Sequence, residues 1–389
     1  MKNVYWLALG AFLVATAELI VSGIVNVLAE DLGVTVAKAG QLVTAFSLGF
    51  AIGTPILVAF TARIHRKALL LAALTIFLAA SLASALSNEY IYLLSARTFL
   101  GASAGLFCVI ALGAIPKLVA GNRLGSAMGT IALAFSLSMV MGVPLGVAMS
   151  NWWGWESIFW AMGLGSLLVL AILKRNLPSI PGDAPQPFWS QFAVLRSWAV
   201  LGPLLLSMLW SSGNSVMLTY MAPLVEQQLQ LKPDAVGWVL LGLGIIGIAG
   251  SKLGGLAVDW LGSRRMLLSS LAASAIALTA FPLTADLSPA VGLGLIGLWG
   301  FSMFMTAPAI NAYFVQAAPR SINLVLGLNT SFTHLGLAAG ASAGGVLLAW
   351  SDSVAYHPWL AGLFILAGLG SGVLSFGYRR AVARSASEK

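Results

Sequence analysis

The chain has 389 residues, 59% of them apolar and only 8% charged, with a formal net charge of +8 and a mean hydropathy of +0.94. Soluble domains carry about 25% charged residues, so this composition excludes a water-soluble globular protein and makes lipid the natural solvent. The basic excess sits in short clusters between apolar runs, which argues against a nucleic-acid partner.

A bilayer core takes about 20 apolar residues per helix. On that ruler the sequence predicts twelve spans, at roughly 4–29, 39–61, 68–87, 90–115, 125–149, 155–173, 198–224, 235–258, 266–285, 289–316, 322–349 and 356–378. The first run is too long for the apolar region of a cleavable signal, about 7–15 residues. Away from the ends of the spans the formally charged side chains are Glu18, Arg97 and Lys252, and Asp259 closes the eighth span. An ionisable group at membrane depth is costly and therefore a functional hypothesis by default.

In the first span Glu18 lies near the middle, and Ser22 and Asn26 follow at i+4 and i+8, which predicts a polar stripe on one helix face. Glu18 is the candidate proton-coupling carboxylate. The competing reading is a protonated Glu hydrogen-bonded between helices. After the second span come Thr61-Ala62-Arg63-Ile64-His65-Arg66-Lys67, a basic loop. The fourth span contains Leu94-Ser95-Ala96-Arg97-Thr98-Phe99-Leu100-Gly101. Arg97 has two readings: a partner that tunes Glu18, or a donor to backbone carbonyls. The fifth contains Gly142-Val143-Pro144-Leu145-Gly146, where a missing backbone donor and two small residues predict a kinked, closely packed helix. Cys108 is the only cysteine, which excludes an intrachain disulfide framework and leaves no structural metal site.

The longest polar interruption, 174–197, contains Pro178, Pro181, Pro185 and Pro187 and reads as a linker. It separates a six-span bundle at 1–173 from a second at 198–389, which ends in a short basic tail. Trp210, Asn214, Met217 and Tyr220 fall in the seventh span, Asn311 and Phe314 in the tenth, and Asn329, Thr333 and His334 in the eleventh. An apolar cavity with a few placed amides and aromatics suits a flat heterocycle or an amphiphilic drug. With Ser22 and Asn26 these are the candidate substrate-binding residues, set against interhelical hydrogen bonds worth about 0.6 kcal/mol each. For His334 a packing role is the stronger reading. Lys252 and Asp259, seven apart, share a face of the eighth span, which favours an ion pair or gate network over substrate contact. Arg264 and Arg265 follow in a second basic loop.

Sixteen of the twenty Lys and Arg residues, among them Lys2, Arg63, Arg66, Lys67, Lys117, Lys174, Arg175, Arg264 and Arg265, fall on one side of this topology, and only Lys38 and Lys232 on the other. The positive-inside rule then places both termini in the cytoplasm. The halves repeat at an offset near 197: Gly40, Gly53 and Ala62 match Gly237, Gly250 and Asp259, and Gly142, Gly146 and Trp152 match Gly340, Gly344 and Trp350. Six spans per half make this a parallel repeat, of the kind that carries its solute site near the bilayer midplane.

Three of these segments together resemble the major facilitator superfamily, specifically its twelve-helix drug:proton antiporters. The loop signature is nearly complete in Gly255-Leu256-Ala257-Val258-Asp259-Trp260-Leu261-Gly262-Ser263-Arg264-Arg265 and degenerate in 61–67, where Ala62 replaces Asp and His65 replaces Gly. The Arg97–Gly101 segment is similar to the family's fourth-helix motif, with Leu100 in place of a frequent Gln. Gly142, Pro144 and Gly146 resemble the antiporter motif of exporters. Thr16–Ile24 and Ala39–Leu42 are similar to a subgroup holding purine-base, arabinose-efflux-like and chloramphenicol-resistance exporters. The resemblance implies an all-α integral membrane protein, with twelve helices in two pseudo-symmetric six-helix bundles, in the bacterial inner (cytoplasmic) membrane.

The resemblance further implies a monomeric, proton-coupled exporter of small organic molecules, hydrophobic drugs or purine base- and nucleoside-like solutes, with protons and the lipid bilayer as partners and no cofactor. Asp259, Arg264, Arg265, Arg63, Arg66, Lys67 and Lys252 are then the candidate gating set, against a merely topogenic role for the basic loops. The rival functions are an importer of the same fold and a transport-like membrane sensor. His65, His334 and His357 lie far apart in the sequence and no phosphate-binding Gly-rich loop is present, so neither a metal enzyme nor an ATP-driven pump fits.

Overall fold

In the computed structural model, residues 2–61, 63–87, 89–119, 124–182, 198–284, 288–317 and 322–387 are described. Ala62, Arg123, Arg196, Arg320 and residues 183–197 of the expected linker lie outside them. Among the described residues all regular structure is helical. That is the solution for a chain in lipid, where no water can satisfy backbone groups and each helix satisfies its own.

The helices in chain order are α1 (Lys2–Asp31), α2 (Val36–Thr61), α3 (Arg66–Ala85), α4 (Tyr90–Leu118), α5 (Leu124–Leu137 continuing to Val143–Trp153) and α6 (Glu156–Asn176). They continue with α7 (Trp198–Thr219), α8 (Asp234–Leu261), α9 (Ser263–Thr284), α10 (Pro289–Ala317), α11 (Ile322–Ser351) and α12 (His357–Ser387). Eleven described helices are long and apolar enough to cross a membrane. The 22-residue α7 completes the series of twelve.

The turns follow from local chemistry. Thr35 caps α2, its Oγ1 accepting from the Lys38 backbone N–H at 3.2 Å. The α8–α9 turn passes through Gly262 at φ 81°, a conformation that favours glycine. The corresponding position before α3 is His65, whose backbone is extended at φ −54° and ψ 131°, so that turn has no need of glycine. The degenerate first copy of the loop thus has a structural counterpart.

Several helices are irregular where the sequence gives cause. α1 kinks at Ile24 (φ −125°, ψ 17°), next to Gly23. α7 ends in the same way: Tyr220 leaves helical geometry (φ −107°, ψ 23°) before Met221–Pro223. The two breaks fall at nearly equivalent places in the two repeats. In α5 a π-helical turn, Ser138–Gly142, precedes Pro144. Proline cannot donate to the carbonyl four residues back, and the wider turn ahead of it takes up that register.

By compactness the chain forms two units. The first comprises Met1–Pro185, Thr219–Val225 and Lys232–Gly244, and the second Gln186–Leu218, Glu226–Leu231 and Ile245–Lys389. In the first unit α3 packs on α4 and α6, and in the second α9 packs on α10 and α12, so the sequence repeat is matched by a repeat of packing partners.

Small residues hold the closest approaches. A Cβ at Gly101 of α4 would fall on the Phe46 carbonyl oxygen of α2, one at Gly49 on the Thr98 carbonyl oxygen, and one at Gly105 on the Thr54 hydroxyl. Gly49/Gly53 and Gly101/Gly105 are therefore paired four-residue repeats that let two backbones touch. In the second unit Gly336 and Gly340 of α11 meet the Met208 and Ser212 carbonyl oxygens of α7 in the same way. There Ser211 Oγ donates to the Thr333 carbonyl at 2.8 Å and Ser215 Oγ to that of Leu337 at 2.6 Å.

Candidate functional site

In the first unit three helices converge on Arg97. The side chain is fully buried. Its Nη1 donates to the Ala17 carbonyl of α1 and its Nε to the Leu42 carbonyl of α2 at 3.3 Å. The guanidinium carbon sits 4.5 Å from the centroid of the Phe46 ring. Nη2 is buried with no hydrogen-bond partner among the described residues. Only the planar, five-donor guanidinium can reach two carbonyls and stack on a ring at once.

Glu18, one residue beyond the Ala17 carbonyl, interacts electrostatically with Arg97. Of the two sequence readings of Arg97, the donor to backbone carbonyls is what the hydrogen bonds show, and the guanidinium also lies within electrostatic reach of the acid. The Glu18 side chain is less deeply buried by surface area than that of Arg97.

Gly142 and Gly146 bring α5 against α1 immediately beside this acid. A Cβ at Gly142 would fall on the Thr16 hydroxyl and one at Gly146 on the Ile20 side chain. The Thr16 hydroxyl is itself tied to the Phe12 carbonyl at 2.8 Å. The fifth-helix motif therefore sets the position of the α1 turns on either side of Glu18. Ser22 is buried and Asn26 half-buried, but the kink at Ile24 lies between them. The three residues consequently do not form the unbroken i, i+4, i+8 stripe that regular helical spacing predicts.

The candidate substrate residues divide between the units. Tyr220 clusters with the first, packed on the backbone of α2 so closely that a Cβ at Gly40 would fall on its hydroxyl. In the second, Asn214 is buried and its Oδ1 accepts from Trp299 Nε1 of α10 at 3.0 Å. That bond fixes the amide, because an indole N–H can only donate. The Asn214 Nδ2 is left buried without a hydrogen-bond partner among the described residues, as are the Asn329 Oδ1 and the Trp210 Nε1. Unsatisfied buried polar atoms are rare and call for a reason, and here they are two donors and one acceptor. Met217, Phe314 and His334 are buried, Thr333 is half-buried with its carbonyl on Ser211, and Asn311 is exposed, apart from that group.

The candidate gating residues take two forms. In the first unit they hold chain. Lys67 Nζ donates to the Leu177 carbonyl at 2.5 Å and the Arg66 backbone N–H to that of Ile180 at 2.9 Å; Lys117, outside the gating set, adds a bond from its Nζ to the Pro181 carbonyl at 3.2 Å. Leu177 and Ile180 are buried, so the start of the expected linker is pinned beneath α3 and α4, while Arg63 is exposed. In the second unit Lys252 and Asp259 line one groove of about 520 Å³ with Gly255 and Pro308, as their seven-residue spacing predicts. No ion pair joins them among the described residues, and both are exposed. Arg264 lies 4.9 Å from the Phe376 ring centroid of α12, and Arg265 is exposed.

Sequence reasoning missed the roles of Trp299, Phe46 and Thr16, the last quoted only as part of a subgroup resemblance. A tryptophan, a phenylalanine and a threonine within apolar spans carry no signal of their own. Their roles exist only through partners 85, 51 and 126 residues away, Asn214, Arg97 and Gly142.

A repeated set of long apolar helices, with an acid and a buried arginine in one unit and orphaned amides in the other, defines a multi-pass membrane protein with polar groups at membrane depth. The chain belongs to the Major Facilitator Superfamily, whose family model matches residues 7–341. It is 32% identical over 374 residues to the uncharacterized MFS-type transporter YbcL of Bacillus subtilis (strain 168), covering 96% of this chain and 95% of that protein. It is 28% identical over 378 residues to the uncharacterized MFS-type transporter YtbD of the same organism, covering 92% and 91%. Among solved structures it resembles a D-xylose-proton symporter, with a TM-score of 0.75 at 17% identity, covering 95% of this chain and 96% of that one. It also resembles a partially occluded inward-open form of the xylose transporter XylE from E. coli, with a TM-score of 0.72 at 16% identity and coverage of 94% and 95%. At those identities the likeness to the solved structures is one of fold.

Proposed function

We propose that the chain is a proton-coupled secondary transporter that exports small organic molecules by alternating access, acting as a monomer in the bacterial cytoplasmic membrane with both termini inside. The observation that carries this reading is Glu18: a carboxyl in mid-helix, electrostatically coupled to the fully buried Arg97. Such a group can exchange its proton with whichever side has access to it. Moving one charge through 100 mV supplies about 2.3 kcal/mol, enough for one or two protons to sustain a useful solute gradient. Export is supported by the resemblance of Gly142, Pro144 and Gly146 to the exporters' fifth-helix motif, whose two glycines pack α5 on the α1 turns that flank the acid.

The substrates are hydrophobic drugs or nucleobase-like solutes. Two buried donors, Asn214 Nδ2 and Trp210 Nε1, and one acceptor, Asn329 Oδ1, suit a flat molecule that offers both kinds of hydrogen-bonding edge. The test is a panel of antibiotics, purine bases and nucleosides on a hypersensitive, export-deficient strain expressing the chain, with and without a protonophore. The chain is expected to raise tolerance to at least one compound, and both the protonophore and Glu18→Gln are expected to abolish the effect. Wild-type tolerance conferred by Glu18→Gln contradicts the proposal.

A further inference from the structure

A separate cavity, in the first unit, is lined by neither Glu18 nor Arg97. It is a groove of about 470 Å³ between the last turns of α5 and the first turns of α8, at the helix ends away from the basic residues Arg66 and Lys117. Its apolar walls include Pro144, Leu145, Val147 and Leu241. Its rim carries Trp152 and Trp238, which are 72% and 73% exposed, and a single carboxylate, Asp234. Asn151 Nδ2 donates to Asp234 Oδ1 at 3.5 Å, and the other carboxylate oxygen accepts no hydrogen bond among the described residues.

We propose that this groove binds a phospholipid with a primary-amine headgroup, one acyl chain lying in the groove and the ammonium on Asp234. In a membrane protein, exposed apolar groups at helix faces meet lipid, and exposed tryptophans near helix ends mark the headgroup level. The groove therefore presents its apolar wall at acyl depth and its carboxylate at headgroup depth. The two indoles on the same rim favour a cation as well, ammonium and choline alike. A soluble cation would leave the apolar wall unused, and an anionic lipid would place its phosphate against Asp234 with no counter-charge. A primary ammonium has three N–H donors for the open carboxylate oxygen, whereas a quaternary choline has none. Space is available too: even a Cβ at Gly237 would meet only Val147, at 3.8 Å.

The test is native mass spectrometry of the purified full chain after incubation with equimolar phosphatidylethanolamine, phosphatidylcholine and phosphatidylglycerol of matched acyl chains. The wild type is expected to retain phosphatidylethanolamine at least threefold over each of the others. Asp234→Asn keeps a residue suited to a helix start and is expected to remove that preference. Gly237→Leu fills the groove without touching the charge and is expected to lower retention of phosphatidylethanolamine to the level of the other two lipids. Thermal unfolding in detergent verifies that each variant is folded, with Asp234→Ser as a second charge-removing variant. Equal retention of the three lipids by the wild type, or an unchanged preference in folded Asp234 or Gly237 variants, overturns the proposal.

Discussion

Arg97 ties three helices by two carbonyl bonds and a ring contact. Hydrogen bonds to charged groups contribute about 1.5–3 kcal/mol, and lysine cannot reproduce the fork. Arg97→Lys is therefore expected to lower stability by about 2 kcal/mol, read as a lower unfolding temperature in detergent. An unchanged unfolding temperature would remove the tethering role. Asn214 and Trp299 form the corresponding buried pair in the second unit. A double-mutant cycle on Trp299→Phe and Asn214→Leu is expected to give a coupling of about 1 kcal/mol, and a coupling of zero would mean the bond is incidental. Glu18 and Arg97 are legible in the sequence because a charge in an apolar span is conspicuous. Trp299 and Phe46 are not, since nothing in their own neighbourhoods distinguishes them from lipid-facing or core aromatics.

At the scale of helices, glycine decides which pairs approach closely. Gly49 and Gly101 each face a backbone oxygen of the partner helix, so neither can accept a methyl without moving α2 from α4. Gly101→Ala is expected to destabilise by about 1–3 kcal/mol through overpacking. Gly129→Ala in α5, where a Cβ meets nothing within 4 Å, is expected to be neutral or stabilising by up to about 1 kcal/mol, from helix propensity. Thermal unfolding of the two variants side by side checks the sign in each, and equal effects would refute the account of the α2–α4 contact. The apolar runs make the helices readable to within a few residues. The kink at Ile24, the break at Tyr220 and the π-helical turn before Pro144 are less so. Pro144 announces an irregular α5, whereas the interruption between Ser22 and Asn26 arises at a β-branched residue beside Gly23, a pairing common in membrane helices.

For the whole molecule, the internal repeat is written in glycine positions and reappears as matching packing partners within each unit. The basic clusters carry a second whole-molecule expectation, orientation. Lys232 and Arg264 should lie on opposite sides of the membrane, and the sole native cysteine, Cys108, is buried. A cysteine at position 232 is expected to react with an impermeant maleimide in intact cells, and one at 264 only after disruption. The reverse pattern would invert the topology. What the sequence leaves open is the coupling of the acid to its surroundings, because Glu18 acquires Arg97 as an electrostatic partner only when α4 folds back beside α1. The central claim is that this acid exchanges its proton for solute. The most direct measurement is uptake or release, in liposomes holding the purified chain, of a solute found by the tolerance screen, under an imposed pH difference. The wild type should move the solute against the proton flow and Glu18→Gln should not respond to the gradient. Gradient-driven movement by Glu18→Gln at the wild-type rate would contradict the account.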